Sequence, residues 1–143
     1  MDHALQLAAQ AAADGDIPVG AVVVDAEGEI IGEGRNVRER EGDPTGHAEV
    51  VALRAAARAK GEWRLTGCTL VVTLEPCPMC AGASALARVD RIVLGAWDPK
   101  MGGCGSVWDI VRDRRSTHRV EVVGGVREQQ AADLLLDFFA DHR

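Results

Sequence analysis

The sequence predicts an α/β protein with three layers, in which helices cover both faces of a five-stranded, mostly parallel sheet. Segments with helical periodicity alternate along the chain with short β-branched runs, which is the order that parallel βαβ units produce. The chain has 143 residues, of which 47% are hydrophobic, so it has the length of one domain and enough apolar side chains for one core. We therefore expect a single domain over residues 1–143.

The predicted elements follow from local patterns. A stripe of Ala and Leu predicts a helix over 2–14. A nearly continuous Val and Ala run predicts a buried strand over 18–25, and the turn before Gly28 returns the chain as a second, antiparallel strand over 29–34. After a polar loop at 35–46, the remaining patterns predict a helix at 47–60, a strand at 68–74, a helix at 78–87, a strand at 91–95, a short helix at 106–112, a strand at 119–124 and a closing helix at 128–141.

Composition narrows the classes of function. The net charge is −6 and the sequence pI about 5.2, which disfavours a broad basic surface for nucleic acid. The arginines nevertheless cluster, and arginine suits phosphate and base contacts. The sequence lacks a membrane-length apolar run and a signal-like N-terminus, so we expect a cytoplasmic protein with reduced cysteines and no membrane partner.

One chemical motif is the Cys-x-x-Cys formed by Cys77 and Cys80 at the start of a predicted helix. The positive end of the helix dipole lowers thiol pKa values there, and thiolates bind metals. Alone, the motif also fits half of a structural zinc knuckle or a redox pair. The sequence has no second Cys-x-x-Cys to close a knuckle, and the pair lies too deep in the chain for a thioredoxin-like unit. Cys68 is expected in the core, and Cys104 has no assigned role.

The second motif is His47-Ala48-Glu49, at the start of another predicted helix. Singly, such a His is usually a cap and such a Glu usually complements the helix dipole. If both helix starts face one point, His47, Cys77 and Cys80 supply three ligands and leave a fourth tetrahedral position open, which is typical of catalytic zinc. A carboxylate beside the metal, Glu49, could then move protons.

Several longer segments carry a resemblance to a known family, and they are distributed over almost the whole chain. They are Ile17-Pro18-Val19-Gly20-Ala21-Val22, Gly32-Glu33-Gly34-Arg35-Asn36, Asp43-Pro44-Thr45-Gly46-His47-Ala48-Glu49, Thr73-Leu74-Glu75-Pro76-Cys77-Pro78-Met79-Cys80, Gly95-Ala96-Trp97-Asp98-Pro99-Lys100 and Leu134-Leu135-Leu136-Asp137-Phe138-Phe139. The zinc motif resembles that of the cytidine/deoxycytidylate deaminase superfamily. The flanking segments are similar to the bacterial tRNA adenosine deaminases within it.

The resemblance implies a cytidine-deaminase-like fold and a homodimer that acts on the anticodon stem-loop of tRNA. A zinc-activated water would replace the amino group of the wobble adenosine, giving inosine and ammonia. The resemblance makes His47, Cys77 and Cys80 the ligands of one Zn²⁺ per subunit and Glu49 the catalytic proton shuttle. It also implies the substrate-binding residues, which are Asn36, Ala48, Leu74, Glu75 and Asp98.

Two alternatives stay open at the level of sequence. A deaminase of free bases or nucleosides, such as guanine, cytosine or adenosine, would use the same zinc site without needing the arginine clusters. A catalytically silent zinc module that binds RNA or a partner subunit could do without Glu49, so the presence of this carboxylate favours an enzyme.

Overall fold

The computed structural model describes residues 1–142, and its helices and strands alternate much as the sequence predicts. In chain order they are α1 (Asp2–Ala13), β1 (Gly20–Val24), β2 (Ile30–Arg35), α2 (Arg38–Glu41), α3 (Ala48–Lys60), β3 (Thr69–Leu74), α4 (Pro78–Leu86), β4 (Arg91–Ala96), β5 (Glu121–Val123) and α5 (Glu128–Asp141). Within residues 1–142, none of these helices is both long and apolar enough to cross a membrane.

The five strands form one sheet in the order β2-β1-β3-β4-β5. β1 runs antiparallel to both of its neighbours, whereas β3, β4 and β5 are mutually parallel. The prediction of a mostly parallel sheet is therefore wrong, because the sheet is mixed. The connections from β2 to β3 and from β3 to β4 do join parallel strands through helices. β2 and β3 are parallel but are not neighbours, because β1 lies between them and pairs antiparallel with both.

The α/β class and the three layers are confirmed. Helices α3 and α4 pack on one face of the sheet, and α1 and α5 pack on the other. Alternate side chains of β1 serve the two faces: Ala21 and Val23 join the larger hydrophobic cluster with Ala52 of α3, whereas Val22 joins a smaller cluster with Leu7 of α1. The larger cluster fixes α3 and α4, whose first residues carry the two chemical motifs.

Two segments differ from the sequence prediction. The predicted loop 35–46 contains the short helix α2, because the buried carboxylate of Asp16 accepts hydrogen bonds from the backbone N–H groups of Glu39 and Arg40 at 2.8 and 3.0 Å. The predicted helix at 106–112 is absent, and turns with an isolated bridge from Cys104 to Asp109 take its place. In a helix over 106–112 the Ile110 N–H would donate to the Ser106 carbonyl oxygen, but it donates to that of Gly103 at 2.9 Å, so the first helical hydrogen bond is not made.

Glycines in β2 let helix α3 lie directly on the strand. A Cβ added to Gly34 would lie 2.3 Å from the carbonyl oxygen of Ala48, and one added to Gly32 would lie 2.4 Å from that of Ala52. Gly34 therefore sets the position of the α3 N-terminus, and with it the position of His47 and Glu49.

We expect Gly34→Ala to destabilise the fold by about 1–3 kcal/mol, as overpacking typically does. The added methyl group must push away the first turn of α3, so zinc content should fall as well. Chemical unfolding and metal analysis measure the two effects. The matched control is Glu33→Ala, at the adjacent position, where an exposed side chain pairs with His3 and the loss should be below about 1 kcal/mol. Equal stability of Gly34→Ala and the parent protein would contradict the packing argument.

Candidate metal site and cavity

The two helix starts that carry the motifs converge as the sequence predicts. His47 is the N-cap of α3 and Cys77 is the N-cap of α4, and both have extended backbone conformations. Neither side chain makes a capping hydrogen bond to its own helix, so both are left to point at each other across the site. Pro78 occupies the first turn of α4, where its missing N–H leaves no helical hydrogen bond unmade.

The ligand atoms of His47, Cys77 and Cys80 all lie within 4.8 Å of one another, and within residues 1–142 this is the one group of three or more such side chains able to hold a metal ion. His47 Nδ1 is 3.6 Å from the Cys77 sulfur and 3.5 Å from the Cys80 sulfur. Ordinary Zn–N and Zn–S bonds at a tetrahedral angle require a separation of about 3.6 Å between such atoms. The donor set therefore fits zinc in both chemistry and spacing.

The two thiols share one site, and their acidities diverge. Hydrogen bonding from the Cys80 thiol, with a further contribution from His47, lowers the pKa of Cys77 to about 4. The same interaction, together with burial, raises the pKa of Cys80. Hydrogen bonding to Cys77 raises the pKa of His47 against the opposing effect of burial. A thiolate beside an imidazole is an arrangement that favours binding of a divalent cation.

Glu49 lies in the first turn of α3 and only 4% of it is exposed. Burial raises the pKa of its carboxyl group, while hydrogen bonds from its own N–H and from the Cys80 thiol act in the opposite direction. No hydrogen-bonding side-chain oxygen or nitrogen that is buried within residues 1–142 lacks a partner. The carboxyl group is thus held next to the metal-ligand cluster without belonging to it.

A cavity of about 290 Å³ opens beside this cluster. All five residues that the resemblance nominated for substrate binding line it, together with His47, Glu49 and Cys77. The five are Asn36, Ala48, Leu74, Glu75 and Asp98. The sheet explains the convergence, because β2, β3 and β4 end at the same edge and the residues that follow them meet there.

Three of these residues have contacts that define what they present to the cavity. The Asn36 side-chain oxygen accepts a hydrogen bond from the Arg38 N–H at 3.2 Å, which orients its amide group. One Asp98 oxygen accepts bonds from the two backbone N–H groups at Lys100 and Met101, at 3.0 and 3.2 Å. The Glu75 carboxylate faces the loop after β4 and is bonded by that loop.

The sequence reasoning missed four residues that line the cavity: Ile17, Val19, Arg38 and Met101. Ile17 and Val19 precede β1, which enters the sheet at the edge where its neighbours end. Arg38 lies two residues after Asn36, and this short distance from a nominated residue was the available signal. Within the described residues, Arg38 makes no ion pair, whereas Arg35 and Arg40 both pair with Asp14.

Comparison with known proteins identifies the family of the chain. The family defined as the cytidine and deoxycytidylate deaminase zinc-binding region matches residues 1–96. The chain therefore belongs to this family of zinc-binding deaminases. The chain is 46% identical over 143 residues to the tRNA-specific adenosine deaminase of Bacillus subtilis, covering 100% of this chain and 88% of that protein.

A solved structure and a longer relative complete the comparison. A protein from a study of A-to-I editing by tRNA:A34 deaminases matches with a TM-score of 0.90 and 38% identity, over 94% of this chain and 97% of that one. The tRNA(Ile)-lysidine synthase of Deinococcus radiodurans is 52% identical over 143 residues, which is 100% of this chain and 24% of that protein. The chain thus spans about a quarter of the length of the lysidine synthases that it matches.

Proposed function

We propose that the chain is a tRNA-specific adenosine deaminase, which uses water to convert the wobble adenosine of an anticodon to inosine and ammonia. The observation that carries the proposal is the convergence of His47, Cys77, Cys80 and Glu49 at one cavity. Similarity to tRNA-specific adenosine deaminases over 83–89% of their length supports the choice of substrate.

His47, Cys77 and Cys80 would hold the zinc ion. Zinc held there would supply Lewis-acid chemistry that lowers the pKa of a water molecule. Glu49 would take a proton from the attacking water and deliver it to the departing amino group, so that ammonia leaves and the hydroxyl group remains on the base. Its burial keeps bulk water away from the carboxyl group, and the raised pKa of that group suits a residue that must both accept and release a proton.

The remaining lining residues would hold the base and its ribose. The fixed amide of Asn36 can hydrogen-bond to the purine, and the backbone at Ala48 and Leu74 can form the sides of the slot. Arg38 provides a positive charge at the cavity without an acidic partner in the described residues. Asp98 lines the same cavity and would contact the nucleotide.

Cavity size limits how much of an RNA substrate could enter the site. About 290 Å³ lies at the small end of ligand pockets, which run from roughly 300 to 1,000 Å³. It admits one nucleotide, so an RNA substrate must present a single base flipped out of its loop. The rest of the anticodon loop would then lie on the exterior, where contacts with the phosphates distinguish an RNA from a free base.

The direct test compares two RNA hairpins and three small molecules. One hairpin carries adenosine at the wobble position, and its control carries guanosine there and adenosine one position away. The small molecules are free adenosine, cytosine and guanine. We expect inosine in the first hairpin only, read by sequencing as an adenosine-to-guanosine change. Turnover of a free compound alone would overturn the tRNA proposal and favour the free-base alternative.

The proposal also covers the domain organisation, the cellular location and the oligomeric state of the protein. Residues 1–143 would form one deaminase domain, which is supported by the single five-stranded sheet within the described residues. An enzyme that modifies tRNA would work in the cytoplasm.

Two chains would form a homodimer, which is supported by exposed apolar side chains seven residues apart on α4: Met79 is 38% exposed and Leu86 is 70% exposed. Sedimentation giving the mass of one chain would contradict the dimer.

A further inference from the structure

Glu75 is a buried carboxylate that the proposed chemistry does not use. It directly follows β3, and only 2% of it is exposed. Within residues 1–142 it forms no ion pair with a lysine or arginine. A charged group buried in this way requires hydrogen-bond donors, because an unpaired charge in a protein interior is strongly destabilising.

All the donors that satisfy Glu75 come from one segment, the loop 98–106. One carboxylate oxygen accepts a bond from the Asp98 N–H at 2.9 Å and another from the Ser106 hydroxyl. The second oxygen accepts bonds from the N–H groups of Cys104 and Ser106 at 3.0 and 3.1 Å. Each oxygen therefore holds part of the loop, and the carboxylate joins its beginning to its end.

Further contacts fix this loop against the metal-ligand turn. The Gly103 N–H donates to the Pro76 carbonyl oxygen at 2.7 Å, one residue before Cys77. Gly102 packs on Glu75 so closely that an added Cβ would lie 2.3 Å from the carboxyl carbon. The loop thus cannot shift or gain a side chain at this point without disturbing Glu75.

The loop forms one wall of the cavity through Asp98 and Met101. We propose that Glu75 is a positioning residue for the substrate nucleotide: by clamping the loop 98–106 to the end of β3, it fixes the wall formed by Asp98 and Met101 and does not itself bind the nucleotide. This inference rests on the proposed function. The resemblance implied that the backbone around Leu74 and Glu75 lines the pocket, and it gave the Glu75 side chain no task.

The first test is Glu75→Gln in the zinc-loaded protein. The new amide nitrogen is a donor: at one oxygen position it would face two backbone N–H donors, and at the other it would face the Asp98 N–H and a hydroxyl that can accept, so at least one of the four hydrogen bonds should be lost. A shift of about 1 Å in a binding site, caused by a change away from the chemistry, can cost about 100-fold in function. We expect KM for the wobble-adenosine hairpin to rise by about 10–100-fold. Zinc content and kcat at saturation should change little. Glu62→Gln, an exposed glutamate after α3, is the matched control and should keep the parent KM.

A double-mutant cycle tests the contact itself. Gly102→Ala alone should raise KM strongly, because the methyl group collides with the Glu75 carboxylate. In a Glu75→Ala background the collision partner is gone, so adding Gly102→Ala should have little further effect. Additive effects of the two substitutions would overturn the proposed clamp.

Amide hydrogen exchange gives a readout that does not depend on activity. The Asp98, Cys104 and Ser106 amides should exchange slowly in the parent protein, and at least one of them should exchange much faster in Glu75→Gln, while the amides of β3 stay protected. Unchanged exchange, or faster exchange with an unchanged KM, would overturn the inference.

If Glu75→Gln fails to fold, Ser106→Ala is the second variant, because it removes only the hydroxyl donor. It should raise KM for the hairpin by a smaller factor, and an unchanged KM would contradict the inference. A parent protein that makes no inosine would refute the proposed function separately, and the exchange result would still decide whether the clamp exists.

Discussion

Glu49→Gln is expected to bind zinc and fold like the parent protein but to form inosine about 10²–10⁴-fold more slowly, which is the range that a general acid–base residue contributes. Glutamine has nearly the shape of glutamate, so the tight packing at this 4% exposed position is preserved. What is lost is the ability to accept and return a proton. Single-turnover kinetics on the wobble-adenosine hairpin, with metal analysis of the same sample, measures both parts of the prediction.

The control for this substitution is Glu62→Gln, which makes the same chemical change at an exposed position after α3 and should keep full activity. Retained hairpin affinity in Glu49→Gln would show that the cavity is intact. A residual rate within a few-fold of the parent would refute the assignment of proton transfer to Glu49. It would also remove the main argument against a zinc module that binds RNA without catalysing a reaction.

The site residues could be nominated from sequence because each motif is local. A His or Cys at a helix start and a carboxylate in a first turn are readable from spacing, and both helix starts follow strands or loops that reach the same sheet edge. The resemblance then nominated Asn36 and Asp98, which follow β2 and β4 at that edge. Their presence around one cavity depends on the strand order, which the patterns alone do not determine.

The mixed sheet was missed for a physical reason. The patterns at β1 and β2 predict a hairpin, but they do not say which of the two strands will pair with β3. Pairing through β1 places α3 across both strands of the hairpin, and the glycines Gly32 and Gly34 permit that close approach. Glycine spacing in β2 was the available signal, because residues two apart lie on one face of a strand.

The loop after β4 shows the other limit of sequence analysis. Residues 106–112 have an acceptable helical composition, but the N–H groups of Val107, Trp108 and Ile110 donate back to the carbonyl groups of Gly102 and Gly103. A carboxylate some thirty residues earlier holds the loop in this turn through the N–H groups of Cys104 and Ser106. Such a long-range hydrogen bond leaves no periodic pattern. Cys104 belongs to the same loop, and burial raises the pKa of its thiol to about 12, so it is an inert part of the anchor and not a reactive cysteine.

Cys80→Ser is expected to reduce zinc affinity by more than about 100-fold, since loss of a mere supporting contact to a ligand already costs 10–100-fold. Cys80 is fully buried in the first turn of α4, and its sulfur is 3.5 Å from His47 Nδ1. A serine hydroxyl is shorter and remains neutral, so it cannot replace a thiolate that offsets the charge of the ion. Deaminase activity should disappear with the metal.

Stability separates a lost ligand from a damaged fold. Zinc that binds only the folded state stabilises it by about 2.7 kcal/mol when the free ion is at a hundred times its dissociation constant. Chelation should therefore lower the Tm of the parent protein, whereas the Tm of Cys80→Ser should be lower from the start and insensitive to the chelator. Both proteins should still unfold cooperatively, because the core is built mainly by the sheet and the helices on it.

Cys68→Ser provides the matched control, because it exchanges the same atoms at another buried cysteine outside the metal-ligand cluster. It should lose some stability through burial of a hydroxyl group yet keep one zinc ion per chain and a Tm that responds to chelation. A Cys80→Ser protein that retains tightly bound zinc and activity would mean that the ion is held elsewhere. That result would remove the physical basis for hydrolysis at the cavity between α3 and α4.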